Sequence, residues 1–159
     1  MDNFNEKSNY RTELNKFGVI AFVPGGNSMW PILKNRKQSV VVTLKTERLK
    51  KYDVALYSRE NDVFVLHRVM EVTSDGYIMC GDSQFTLEKV LEESVFGVMK
   101  GFYQGEKYVE CTDKKYVERV NKWYKRKKLR KLRLKRFYFW QRVKGKLKRI
   151  FKKGGNNNV

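Results

Sequence analysis

At 159 residues, with 35 Lys and Arg against 17 acids and a single histidine, the chain has room for one domain with a real core plus an appendage. The net charge of +18 sits at one end: from Asp113 onward 20 bases face 2 acids, while the 15 bases before it are matched by 15 acids. Cys80 and Cys111 are widely separated and have no histidine partners, which excludes a disulfide framework and a zinc site and leaves both as small packing residues.

Residues 1–16 are polar and contain no apolar run. A secretory signal peptide is not expected there, and no window holds the nearly twenty apolar residues of a membrane-spanning helix. The expectation is a protein of the cytoplasm, or one peripheral on the cytoplasmic membrane.

From 17 to 112 the pattern is β. Short runs rich in branched and aromatic residues occupy Phe17–Val23, Ser39–Leu44, Val54–Tyr57, Val63–Val72, Tyr77–Met79, Val95–Tyr103 and Tyr108–Val109. Turn signals at Asn61-Asp62, Ser74-Asp75-Gly76 and Gln104-Gly105 separate them. Only Thr86–Glu93 reads as a helical turn or two. These features predict a mainly β, strongly coiled antiparallel domain.

The composition then breaks near Cys111–Lys115, and residues 113–153 read as a basic helical extension ahead of a flexible tail at 154–159. Leu129, Leu132, Phe139, Trp140, Val143, Leu147, Ile150 and Phe151 fall within an arc of roughly 120° at about 100° per residue. Val117, Val120 and Tyr124 follow another face, which predicts a break in phase around Lys125–Lys128.

Three places in the β region carry chemistry-bearing residues. Gly25-Gly26-Asn27-Ser28-Met29-Trp30-Pro31 sets a hydroxyl on a bend, since the glycines open unusual backbone angles and Pro31 stops a helix. On residue types alone this is also an ordinary loop between strands. His67 lies on the alternating run Val63–Val72, facing the same way as Val63, Val65 and Val69. A lone histidine on an apolar face is either a satisfied core residue or a base. As the only histidine, it is the only side chain that ordinarily titrates near neutrality. Gly81-Asp82 is either a plain turn or the source of the third residue type that a serine nucleophile needs.

Together these pieces resemble the signal peptidase I family, in its endoplasmic-reticulum, archaeal and spore-former branch. The family's first box, Gly-x-Ser-Met-x-Pro, is matched by Gly26-Asn27-Ser28-Met29-Trp30-Pro31. The branch's His-Arg-Val box is matched by His67-Arg68-Val69, where the bacterial housekeeping enzymes carry lysine. The Gly-Asp box is matched by Gly81-Asp82-Ser83, and Glu88 stands where a second acid is expected, usually aspartate. The boxes span about half of the chain. The resemblance implies a β peptidase domain at 17–112 with Ser28 as nucleophile, His67 as base, and Asp82 or Glu88 holding the imidazole, with no cofactor and no metal. Gly26, Asn27, Met29 and Pro31 would shape the oxyanion and substrate loop, with backbone amides near Ser28 and Met29 as donors. Some relatives add a hydroxyl two positions before the nucleophile; here that position is Gly26, and Asn27 is the substitute on offer.

The implied substrate is a leader or signal segment of a peptide or preprotein, bound as an extended strand with small side chains before the scissile bond. Family members are usually anchored by spanning helices, so residues 114–153 are expected to meet an anionic membrane surface instead, at about 1 kcal/mol per base near the headgroups. Nucleic acid is the competing partner for that tail. A module that holds peptides without cutting them is the competing reading of the β domain. The self-cleaving repressors of related fold are disfavoured, because their serine and lysine pair and their helix-turn-helix are not seen.

Overall fold

The structure, a computed structural model, describes residues 10–59 and 63–154, with side chains up to residue 145. Its centre is an eight-stranded antiparallel sheet in the order β1-β2-β7-β3-β4-β5-β6, with β8 also paired to β7. The strands are β1 (Val19–Phe22), β2 (Gln38–Leu44), β3 (Val54–Arg59), β4 (Val63–Val72), β5 (Gly76–Cys80), β6 (Glu88–Leu91), β7 (Val95–Gln104) and β8 (Lys107–Glu110). Helix α1 (Tyr10–Phe17) precedes the sheet, and α2 (Lys114–Lys125) and α3 (Lys127–Gly154) follow it. The mainly β, antiparallel architecture expected from the alternating runs is the one observed.

The chain forms two compact units, Met1–Val120 and Asn121–Val159. This division falls later than the compositional break near Cys111–Lys115 because the first half of α2 belongs to the sheet unit. Tyr116 and Val120 are buried there, and the Tyr116 ring lies 5.9 Å from that of Phe102. Burying such side chains stabilises by roughly 1.5–3 kcal/mol each, enough to hold a helix turn whose other residues, apart from exposed Val117, are charged.

Strand β7 is the long central member, pairing with β2 along Gly97–Gln104, with β3 over Val95–Val98 and with β8 over Gly101–Gln104. Bulges interrupt the ladders at Val41/Val42, Leu56/Tyr57 and Val69/Glu71, places where a strand bends and twists more strongly. The core beneath β3, β4 and β5 gathers Leu49, Ala55, Tyr57, Val69, Tyr77, Met79, Val90 and Val95. Strand β4 is paired to β3 along Val63–Arg68, yet β5 joins its other edge only from Arg68 onward. Among the described residues, its Val63–Leu66 stretch therefore has one edge without a strand partner.

Two segments differ from expectation. Residues 10–17 form a helix that includes Phe17, where the sequence read as polar chain and then strand. Its single buried aliphatic residue is Leu14, fully covered, and Gly18 ends it in the left-handed region (φ 72°) with its amide donating to the Leu14 carbonyl at 2.8 Å. So short a helix needs one anchor and a stop, too little for a periodic signal. Thr86–Glu93 holds a strand, β6, and only one 3-10 turn at Glu92–Ser94. Val90 alone of the β6 residues is buried, and pairing to β5 through Met79↔Glu88 and Tyr77↔Val90 outweighs any local helical preference.

The expected Ser74-Asp75-Gly76 and Gln104-Gly105 turns close the β4–β5 and β7–β8 hairpins. Asn61-Asp62 lies outside the described residues, as do residues 1–9 of the polar segment and 155–159 of the tail. Helix α2 ends at Lys125 and α3 begins at Lys127, where the apolar phase changes. Leu147, Ile150 and Phe151 belong to α3 but their side chains lie outside the described set. Among the described residues no helix is long and apolar enough to cross a membrane.

Candidate active site

Ser28 sits in the loop between β1 and β2. Gly26 takes φ 83° there with open space around the place a Cβ would occupy, so glycine is required by the backbone angle and not by crowding. The turn is closed by the Trp30 amide donating to the Asn27 carbonyl at 3.0 Å and the Leu33 amide donating to the Met29 carbonyl at 2.8 Å, and Trp30-Pro31 is cis. Met29, Ile32 and Leu33 are buried and anchor the bend in the core.

The Gly81-Asp82-Ser83 loop fixes this bend from the other side. Ser83 donates its amide to the Ser28 carbonyl at 2.8 Å and its hydroxyl to the Asn27 carbonyl at 2.8 Å. A Cβ on Gly81 would stand 2.8 Å from the Ser28 carbonyl oxygen, closer than real contacts allow, so only glycine lets the two loops touch. Arg119 also donates to the Pro31 carbonyl. The first and last boxes of the motif set are thus stapled together by one backbone hydrogen bond and one from the Ser83 hydroxyl.

His67 is buried on β4, paired across from Ala55. Tyr57 pairs with Val65, which makes it the diagonal neighbour of His67 on the same face. The Tyr57 hydroxyl is 3.1 Å from His67 Nδ1 and donates to Glu88 Oε2 at 2.8 Å. Arg59, two residues along the same face, grips Glu88 through Nε to Oε1 at 2.6 Å and Nη2 to Oε2 at 2.5 Å. That grip holds the Glu88 carboxyl below its usual range, with help from the Tyr57 hydrogen bond and against the effect of burial. A carboxylate only accepts, so the Tyr57 proton points at Glu88 and the Tyr57 oxygen accepts from His67 Nδ1–H. The tautomer is thereby set, and Nε2 keeps its lone pair. Burial, then the Arg59 charge, lowers the His67 pKa below 6.5, against the opposing pull of Glu88 and Asp82. The imidazole is neutral at neutral pH. Burial first, then the Glu88 hydrogen bond, pushes the Tyr57 phenol far up, so it stays protonated.

Asp82 has a different setting. Arg68 donates Nε to Oδ1 and Nη2 to Oδ2 of Asp82, both at 2.7 Å, with both side chains fully buried. Arg68 also donates to the Tyr52 carbonyl at 2.8 Å and lies 3.3 Å from the Tyr116 hydroxyl. Tyr52 takes φ 77°, a costly angle for an aromatic residue, with its carbonyl held by Arg68 and its amide donating to Val69. Alternation puts Arg68 on the opposite face of β4 from His67. The acid hydrogen-bonded toward His67, through Tyr57, is Glu88; Asp82 acts on the imidazole through space.

Ser28 and His67 line one cleft of about 430 Å³, together with Gly25, Gly26, Met29 and Arg59. Its wall is aromatic: Tyr10 of α1 stacks on Phe22 at 4.5 Å and leans on Phe64 at 5.3 Å. Among the described residues no hydrogen bond joins the Ser28 and His67 side chains. Glu88 and Tyr57 stand behind the imidazole and line a neighbouring hollow shared with Arg59. Cys80 is buried beside the Gly81 loop with its sulfur 3.3 Å from the Gly81 and Gln84 carbonyl oxygens. Cys111 is half-buried, its thiol pushed up to about 11 by burial.

Tyr57, Arg59 and Tyr10 were not singled out from the sequence, and Arg68 and Ser83 stood in the matched boxes without an assigned role. A signal for two of them existed: Ala55, Tyr57 and Arg59 share a face by alternation, and antiparallel pairing of that run with Val63–Val72 would lay the face beside His67. Compared with protein-family models, with curated proteins and with solved structures, the chain gives no match.

Proposed function

We propose that this chain is a serine endopeptidase of the signal peptidase type, cutting leader or signal segments from peptide substrates. The observation that carries the reading is that Ser28, on a glycine-bounded bend, and His67, a buried neutral imidazole with its Nδ1 at a tyrosine hydroxyl, face one cleft. In the proposed reaction His67 Nε2 takes the proton from Ser28 as Oγ attacks the peptide carbonyl carbon. The tetrahedral adduct collapses, the C–N bond breaks, and His67 returns the proton to the departing amine. Water, deprotonated by the same nitrogen, then hydrolyses the Ser28 ester and regenerates the hydroxyl. Glu88 steadies the imidazole through Tyr57, and Asp82 holds Arg68 and the loop that staples Ser28. The edge of β4 at Val63–Leu66, which has no strand partner among the described residues and whose Phe64–Leu66 line the cleft with Gly25 and Gly26, is where an extended substrate would add as a strand.

The test is incubation of the parent and of Ser28→Ala with leader peptides bearing small residues, read by mass spectrometry. Cutting by the parent alone is expected. Peptide binding with no cutting by either chain would contradict the proposal in favour of a carrier.

A further inference from the structure

We propose that α3 docks on the surface of an anionic lipid membrane, lying along it without crossing. This stands independently of the peptidase reading. Charge sets the sign of the partner: residues 121–159 contain 17 Lys and Arg and no acid. Lipid headgroups and nucleic-acid phosphates both answer that charge.

The exposed apolar side chains separate the two. Leu132, Phe139 and Trp140 are 55%, 62% and 56% exposed, and Leu129 is 37% exposed. With half-buried Val143 they share an arc of about 120° on the helix. The helix also has a buried side, marked by Leu134 and by Arg130, whose guanidinium stacks 4.7 Å from the Tyr124 ring. Leu134 lies about 160° from the middle of the exposed arc at 100° per residue, so the exposed stripe is a second apolar face, distinct from the buried one.

Base stacking needs rings, and phosphate contacts need donors. Leu129, Leu132 and Val143 supply neither, whereas the acyl boundary of a bilayer accepts aliphatic and aromatic groups alike, with Trp favoured at headgroup depth. Exposed Arg133 and Arg136 sit within or beside the stripe, and their methylene stems can follow it while the guanidinium reaches the phosphates. The partner that uses charge and aliphatic stripe together is a lipid surface.

The experiment is sedimentation of the full chain with vesicles of phosphatidylglycerol and phosphatidylcholine, and with vesicles of phosphatidylcholine alone. A single-stranded RNA is titrated in parallel. The second protein is Leu132→Ser/Phe139→Ser/Trp140→Ser, which keeps every charge and alters only exposed side chains; circular dichroism checks its helix content. Binding to the anionic vesicles is expected to exceed that to phosphatidylcholine by about tenfold or more, and to fall by about tenfold or more in the triple variant, with RNA binding unchanged. Equal vesicle binding by parent and variant would reduce the effect to charge and overturn the proposal. So would failure to sediment with anionic vesicles, or RNA binding that outcompetes vesicles and is lost in the triple variant.

Discussion

On one face of β4 Arg68 grips Asp82 with both side chains wholly out of solvent, while on the His67 side Arg59 grips Glu88 at the rim, with the arginine 46% and the acid 29% exposed. The chemistry of the two pairs is the same and their settings are opposite. Removing one partner of a buried pair leaves an uncompensated charge in low dielectric, whereas a rim pair is screened by water and contributes little to stability. The buried pair can therefore be a fixture of the fold, and the rim pair can tune the neighbouring imidazole at small cost in stability.

The largest expected effect breaks the buried pair. Asp82→Asn is expected to lower unfolding free energy by about 3–5 kcal/mol, measured by urea denaturation, whereas Glu88→Gln is expected to change it by no more than about 1 kcal/mol. Equal losses would erase the distinction.

Next is the hydroxyl that links the rim pair to His67. Tyr57→Phe keeps the ring and removes the Nδ1 acceptor, so kcat for leader cleavage is expected to fall by about tenfold to a hundredfold with KM little changed. That is less than the loss expected on removing the proposed base, since a general base contributes roughly 10²–10⁴-fold.

The rim pair can then be split by sign. Arg59 lowers the His67 pKa and Glu88 raises it. Arg59→Gln is expected to move the acid limb of kcat/KM to higher pH, and Glu88→Gln to move it to lower pH. Shifts in the same direction, or none, would disconnect the pair from the imidazole. The smallest effect is on stability. The folded pKa of His67 lies below its ordinary 6.5, so the unfolded chain takes up the proton first as pH falls. The stabilising contribution of the neutral imidazole is complete above 6.5 and is lost below it until the folded pKa is passed. His67→Gln is expected to remove that part of the pH dependence, read from denaturation curves on either side of pH 6.5.

Much of the sheet was legible because alternation is a strong local signal: Val63–Val72 is β4 residue for residue. Helix α1 and strand β6 were not, since each is carried by a single buried anchor, Leu14 or Val90, whose effect depends on tertiary partners. Within the candidate site, Ser28 and His67 could be read as residue types in ordered motifs. The division of labour between Asp82 and Glu88 could not, because it rests on which face of the sheet Arg68 of β4 and Arg59 of β3 occupy and on strand pairing that brings Glu88 of β6 to Tyr57 of β3. No period in the sequence encodes contacts between strands that far apart in the chain.

A neutral imidazole held by Tyr57 and presented to Ser28 is tested most directly by nitrogen-15 NMR of the side chain. With one histidine in the chain the imidazole signals need no disentangling. At neutral pH a protonated Nδ1 and an unprotonated Nε2 are expected, titrating below 6.5 and losing the Nδ1 preference in Tyr57→Phe. A proton on Nε2, or an imidazole already charged at neutral pH, would contradict that arrangement.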